Sequence, residues 1–544
     1  MIKLILRLNQ KHGYLFVIFL TFLLMAWDIG NLDALRQGTE GFYLQISKEM
    51  NSAGSFLTPL FRGEPHWSKP PLHFWLPFPL YATGAFDVTT AARLAILLLS
   101  IASIALCANW VERFFSISKI TSALFFFSTI GFAKYSRIYM MEMPLSLLST
   151  LGAMYLFAAI EHSKRLDWII ATIFCSLAVL VKGPVAWVMI GASISLYLFL
   201  RYRSKLPIPY KSLLLFSIST LTFGSLWFVA CYLKYGQEFI DYFFLRENLG
   251  KFTSKSYPIR VVFQGLLIFS LPWSLYLPLL MSKQSWVSRL QKSEPKYWAR
   301  IFTIICFCIF FGLWLIPNQR SHHYAMPSIF FFLTILLDTM KCHHRPIGGW
   351  QSKTSHLLSA GLFFFLLPLL FITFAFPSLF ESLSHISIMT TAIALTIFAF
   401  ISFTKILSLK TRALSSLLCF GFIWSFVTPL FVLPTVPDRV IKVIGTQPIS
   451  VVYRKPYFIA EALDRTDLNI VGAHEISSRI GQLDGLLFIP ERVVEQFQLG
   501  SQVEVLERWR VWQKSRRLKH VLSAINDSNL NVLQESFLLV RIKR

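Results

Sequence analysis

Ionisable side chains stand at the edges of long apolar runs in this chain, and their types suit transfer of a group away from a phosphate. The densest set lies in residues 32–73, LDALRQGTEGFYLQISKEMNSAGSFLTPLFRGEPHWSKPPLH, which hold Asp33, Arg36, Glu40, Lys48, Glu49, Arg62, Glu64, His66 and Lys69. Glu142 follows in KYSRIYMMEMPLSLL, Lys182 before Gly183 and Pro184, Arg246 in DYFFLRENLGKFTSKSYPIR, and Arg320, His322, His323 and Tyr324 in PNQRSHHYAMP. In such a set a carboxylate takes the proton of an attacking hydroxyl while cations stabilise the departing phosphate.

Asp33 and Glu40 would lie two turns apart on one face of a continuous helix, although Gly38 interrupts that continuity. Lys69 is followed by two prolines that keep its backbone extended, beside Trp67 as a flat apolar wall, so phosphate contact is the expectation and lipid-headgroup anchoring the alternative. Lys182 interrupts an apolar stretch, where a cation needs a partner. Glu142 offers a carboxylate at the mouth of a bundle, with an interfacial ion pair to Arg137 as the plainer reading. Adjacent histidines point in different directions on regular structure, so His322 and His323 are a poor shared metal site; one suits a hydrogen bond to substrate.

The elements that must position these groups are membrane helices. The 544-residue chain is 55% hydrophobic with 52 phenylalanines, and its mean hydropathy is +0.56. Apolar runs of about 20 residues match the hydrocarbon thickness. Candidate spans cover about 14–29, 91–110, 119–135, 143–160, 167–181, 184–200, 212–232, 260–281, 301–316, 324–340, 356–376, 387–405 and 412–433. Residues 72–87 carry Pro77 and Pro79 and read as a surface or re-entrant helix. The fold class expected is an all-α polytopic membrane core (1–434) of about 13 helices, with a first outer loop at 31–90 and a small C-terminal α/β soluble domain (435–544). That domain is marked by the strand-like runs VVYR, LNIVGA, GLLFIP, QVEVLERWRVW and FLLVRI.

Charge orients this arrangement. Lys3, Arg7 and Lys11 precede the first run and hold the N-terminus in the cytoplasm, and the run reads as an anchor. The loops 161–166, 201–211, 282–300, 341–355 and 405–412 are basic and fall on the same side. The reactive inventory and the C-terminal domain then face outward.

The net charge of +24 resides largely in these loops, which argues against nucleic acid. No GxxxxGK[ST] motif provides for nucleotide-driven transport. The seven cysteines lie in or beside apolar runs and read as buried small side chains.

The chain resembles the membrane glycosyltransferase family, of the GT-C fold, that includes the bacterial aminoarabinose transferase acting on lipid A and, more distantly, the protein O-mannosyltransferases. The resemblance rests on TEGFYLQISKEMNSAGSFLTPLFRGEPHWSKPPLHFW, AARLAIL, YSRIYMMEMPLSLL, VKGPVAW, FLRENLGKF, SLPWSLYLP and HHYAMP, in family order over residues 31–330. It implies a helical core with a cavity at the outer leaflet, entered by a polyprenyl-phosphate sugar whose anomeric centre is inverted. It also implies that Glu40 corresponds to the glutamate of an Asp-Glu pair, Tyr43 and Glu49–Met50 to the helix after it, Lys69 to the lysine before Pro-Pro, Glu142 to a second-site aspartate and Lys182 to the lysine before Gly. Thr39 replaces the first aspartate of the pair and Ser68 a common glutamate, so either Glu40 or Asp33 supplies the carboxylate, or the work is distributed differently.

The expected activity is transfer from an undecaprenyl-phosphate-linked sugar to an envelope glycolipid such as lipid A or lipopolysaccharide at the bacterial inner membrane. Glu40, Glu142 and Asp33 are the candidate catalytic groups, Lys69, Lys182, Arg246 and Arg320 the phosphate contacts, and Tyr43, His66, Trp67, His323 and Tyr324 the substrate contacts. A divalent cation, Mg2+ or Mn2+, held by Glu40 and Glu142 is compatible with this chemistry, and lysines could replace it. Protein O-glycosylation, a lipid-linked saccharide flippase and a membrane scaffold are the alternatives; the donor sugar and oligomeric state stay open.

Overall fold

The computed structural model describes residues 10–30, 38–250, 256–281, 291, 296–342, 408–427, 436–453, 457–466, 468–512, 523, 526–527 and 533–543. Among these, six helices are long and apolar enough to cross a membrane: Val88–Phe115, Glu142–His162, Val185–Arg203, Tyr210–Tyr235, Tyr297–Leu315 and His322–Lys341. A seventh crossing forms if Arg260–Phe269 and Trp273–Met281, which meet at 111°, act as one bent span. Gln10–Ala26, Arg165–Lys182 and Leu409–Phe422 occupy further expected positions. The expected spans 356–376 and 387–405 lie outside the described residues, so the count of thirteen is neither reached nor excluded.

Glu142–His162 is the central helix, with its apolar window wholly buried. Apolar on every face, it can be stable only when surrounded, and it packs against Val88–Phe115, Arg165–Lys182, Val185–Arg203 and Met326–Cys342. It ends at Ser163 in the left-handed region (φ 53°), and Arg165–Lys182 then runs back antiparallel. That reversal places Lys182 at the same end of the bundle as Glu142. The expected single span at 119–135 is two helices, Lys119–Phe127 and Ile130–Tyr135. Thr129 accepts the Phe132 N–H as a cap between them, and the Ile130 N–H donates to the Leu271 carbonyl across the break (3.0 Å).

The first loop is ordered throughout its described part. Gly38–Ser52 is a helix, followed by a two-stranded hairpin pairing Leu60–Phe61 with Glu64–Pro65. Its turn residues Arg62 and Gly63 both have positive φ (57° and 78°), the conformation a tight hairpin demands. Residues 72–81 form two single-turn helices, Leu72–Trp75 and Phe78–Tyr81. Asp87 then caps Val88–Phe115 by accepting the Thr89 and Thr90 N–H groups (2.9 and 3.0 Å).

The C-terminal α/β domain carries a five-stranded mixed sheet. In spatial order its strands are Asn469–Ile470, Ile449–Val451, Leu486–Pro490, Gln534–Ile542 and Val503–Trp512, parallel among the first three and antiparallel thereafter. Alternate residues serve two cores: Phe488, Trp509, Phe537 and Leu539 on one face, Leu487, Ile489, Leu538 and Val540 on the other.

This domain sits directly on the Gly38–Ser52 helix. Lys48 Nζ pairs with Glu461 (2.9 Å) and Asp464 (3.1 Å), and the Thr89 hydroxyl also donates to Glu461. A Cβ at Gly41 would stand 2.3 Å from Tyr457 Cβ, so glycine is what lets the two surfaces close.

Candidate active site

Glu142 opens the central helix and is 6% exposed. Its Oε1 lies 3.3 Å from His323 Nε2, and its Oε2 is buried with no hydrogen-bond partner among the described residues. His323 is held in turn by Ser321, whose hydroxyl is 2.9 Å from Nδ1. A carboxylate fixed through one oxygen and bare at the other is placed to accept a proton from a bound molecule, because leaving such an atom unpaired is costly otherwise.

Lys182 closes the neighbouring helix at the same end, its ammonium 4.8 Å from the Trp314 ring centre and 5.1 Å from that of Tyr324. Such aromatic faces favour a cation. Glu142 lies within electrostatic reach of Tyr43, Lys134 and Tyr324. The Tyr43 phenol is held well above the usual tyrosine range by burial and then by the negative field of Glu142, so it serves as a neutral hydroxyl.

Lys69 and Arg246 come from the first loop and from Asp241–Leu249, which is a π-helix. Lys69 Nζ donates to its neighbour's carbonyl at Ser68 (2.6 Å) and is 3.8 Å from Glu247; Arg246 lies over the Tyr242 ring (5.0 Å). His66 joins both stretches: its ring contacts the Ser68 hydroxyl (2.6 Å) and the Tyr242 hydroxyl (3.2 Å). Burial, then the charges of Lys69 and Arg246, lower its pKa to about 4, so it is neutral in the fold near pH 7.

Other residues occupy different places from those their types indicated. Glu40 is wholly buried and takes two bonds from Arg93 (2.8 and 3.2 Å) and one from the Tyr139 N–H (2.9 Å). Arg137 donates to the Ser425 hydroxyl (2.6 Å) and the Asp28 carbonyl (3.4 Å), so the ion pair with Glu142 is not formed. Arg320 donates to the carbonyls of Leu315 (3.0 Å) and Tyr257 (2.7 Å), tying two loops together. Trp67 is 2% exposed and packs inside an aromatic cluster with Trp227, Phe239 and Phe243. Asp33, Lys251 and Lys255 lie outside the described residues.

Arg93 and Lys134 are the charged groups that inspection of motifs passed over. Each stands beside apolar residues, Arg93 near the start of Val88–Phe115 and Lys134 in Ile130–Tyr135, and a charge in such a stretch is itself a signal.

Among the described residues no group of three or more His, Cys, Asp or Glu side chains could hold a divalent ion by itself. Glu40 gives both its oxygens to Arg93 and the Tyr139 N–H, and Asp33 lies outside the described residues.

Fold and site define a GT-C-type membrane protein with the Glu142 carboxylate and the Lys182 ammonium set beside aromatic rings at one end of its helical bundle. Residues 68–227 match the family model described as dolichyl-phosphate-mannose-protein mannosyltransferase. The chain is 26% identical over 328 residues to an uncharacterized protein of Aquifex aeolicus, covering 58% of this chain and 61% of that one. It is 21% identical over 353 residues to the undecaprenyl phosphate-alpha-4-amino-4-deoxy-L-arabinose arabinosyl transferase of Pseudomonas savastanoi pv. phaseolicola, covering 62% and 63%. The matched region thus spans less than two thirds of these relatives. In fold the likeness extends over nearly the whole chain: ArnT from Cupriavidus metallidurans bound to undecaprenyl phosphate superposes with a TM-score of 0.68 at 14% identity, over 97% of this chain and 98% of that one. The chain is thus similar to ArnT in its GT-C fold and to the mannosyltransferase family model over residues 68–227.

Proposed function

We propose that this chain is a glycosyltransferase that moves a sugar from a polyprenyl phosphate to a hydroxyl of an envelope glycolipid at the outer face of a bacterial inner membrane. The observation that carries the reading is Glu142, with one oxygen on His323 and the other bare, beside the aromatic-bound Lys182. As the acceptor oxygen bonds to the anomeric carbon, its proton passes to Glu142 Oε2. The bond from that carbon to the phosphate oxygen breaks, and the leaving phosphate gains a negative charge. Lys182 and Lys69 stabilise that charge, with Arg246 beside Lys69, and Tyr43 and Tyr324 orient the sugar as neutral hydroxyls. Attack from the face opposite the phosphate inverts the anomeric centre.

In this scheme Glu40 is a positioning residue that holds Arg93 and the Tyr139 backbone behind the cavity. An undecaprenyl-phosphate donor is supported by the arabinosyl transferase relatives, which are named for that donor, and by the lipid bound in the Cupriavidus structure. A protein acceptor is the counterpart supported by the mannosyltransferase family match.

The test is reconstitution of the full chain with radiolabelled undecaprenyl-phosphate sugar and envelope lipid extract. Release of undecaprenyl phosphate with formation of a labelled glycolipid, lost in Glu142→Gln, supports the proposal. Movement of intact donor across the bilayer with no new glycosidic bond would instead establish a flippase.

A further inference from the structure

The end of the bundle opposite Glu142 carries charge that the transfer chemistry does not use. Two acids there are already neutralised: Asp167 is held by Arg113 (2.8 and 3.0 Å) and Glu161 by Arg201 and Tyr197. Lys164, Arg165 and Lys211 at the same end are exposed, with no ion pair or side-chain hydrogen bond among the described residues. A surplus of positive potential is left on this rim.

From this rim a groove of about 880 Å³ runs between Arg165–Lys182 and Tyr210–Tyr235. Ser163, Arg165 and Ser212 line its mouth, while Leu180 and Leu226 line its far end. Fifteen helical residues separate Arg165 from Leu180, a rise of about 22 Å, long enough to hold an extended acyl chain. The walls along that path are Trp168, Phe216 and Phe223. Head and tail of the cleft therefore differ in the way that the two parts of a charged lipid differ.

We propose that this groove is a binding site for an anionic phospholipid of the leaflet on the Arg165 side, its phosphate on Arg165 and Lys211 and one acyl chain laid between the two helices. The charge complementarity of the rim selects an anionic over a zwitterionic headgroup. Because the groove's first wall is the helix that ends in Lys182, the lipid also braces one side of the donor site from behind. The proposal rests on the position of the groove and not on the transfer reaction.

Native mass spectrometry of the full chain in detergent, titrated with phosphatidylglycerol, phosphatidylcholine or undecaprenyl phosphate, tests it without any activity assay. Wild type should retain phosphatidylglycerol in preference to phosphatidylcholine. Arg165→Gln and Lys211→Gln should each weaken that retention about fivefold, and together about 25-fold. Ser219→Trp, which fills the groove, should remove retention of either lipid; helical circular dichroism and a single elution peak check that it folds, and the charge variants decide the matter if it does not. Equal retention of the two phospholipids, or retention unchanged in the double variant, would overturn the proposal. So would undecaprenyl phosphate displacing phosphatidylglycerol with the same sensitivity to Ser219→Trp, since the groove would then belong to the donor's chain.

Discussion

Replacing Glu40 with alanine separates structural support from chemistry. In the wild type Glu40 is 0% exposed and Arg93 1%, so the pair sits beyond the reach of bulk water. The guanidinium makes bonds of 2.8 and 3.2 Å to the carboxylate and one of 3.0 Å to the Ile29 carbonyl. Glu40→Ala removes the compensating charge and strands Arg93, which costs about 3–5 kcal/mol. It also takes away an acceptor of the Tyr139 N–H, worth about 1–3 kcal/mol if no water enters. Glu40→Met combined with Arg93→Met removes both charges and should recover most of the lost stability, because an apolar pair of similar volume has no charge to bury.

The assay is thermal unfolding in detergent, followed by intrinsic fluorescence, alongside transfer measured below the unfolding range. The expected result is a large drop in midpoint for Glu40→Ala, recovery in the double variant, and residual transfer by whatever remains folded. If Glu40→Ala instead melts with wild type while transfer falls as far as in Glu142→Gln, the carboxylate acts on substrate and the supporting role is wrong. A double variant as unstable as the single one would equally refute the argument from charge.

Further outcomes follow from the same geometry. Glu142→Gln should lower kcat by roughly 10²–10⁴-fold, the usual contribution of a positioned general base, with donor binding retained in a filter assay. Lys182→Ala should raise the donor KM, and Lys182→Arg should restore part of it if charge over Trp314 and Tyr324 is what matters. His66 stays neutral in the fold down to about pH 4, whereas in the unfolded chain it takes a proton near 6.5. Between these values the unfolded state binds more protons, so stability should fall as pH drops from 6.5 towards 4. His73, fully buried with its pKa lowered to about 3 by desolvation, acts in the same direction. Melting curves of His66→Gln and His73→Gln across that window should each show a shallower slope. Gly41→Ala forces a Cβ against Tyr457 and should loosen the C-terminal domain, read as faster amide exchange along Gly38–Ser52.

Much of this architecture is local in origin and was readable residue by residue. Apolar run length marks where helices lie, since a helix satisfies its own backbone bonds and needs only about 20 apolar residues to span hydrocarbon. Each of the five strand-like runs after 435 contributes residues to one sheet, VVYR only through Val451, because a short run of strand-forming residues is likewise a local property. Glu142 and Lys182 could be singled out because each charge interrupts an apolar stretch.

Partner choice was the part that only tertiary structure decided. Glu40 and Glu142 are the same residue type, yet one is saturated by Arg93 and Tyr139 and the other keeps a bare oxygen. Arg320 and Lys182 are both cations near span ends, yet one binds backbone carbonyls and the other faces aromatic rings. Nor did the sequence reveal that Lys48 clamps the helix of Glu40 to Glu461, 413 residues away. Coulomb and hydrogen-bond energies depend on through-space distance and on local exclusion of water, and neither quantity is carried by residue type or spacing along the chain.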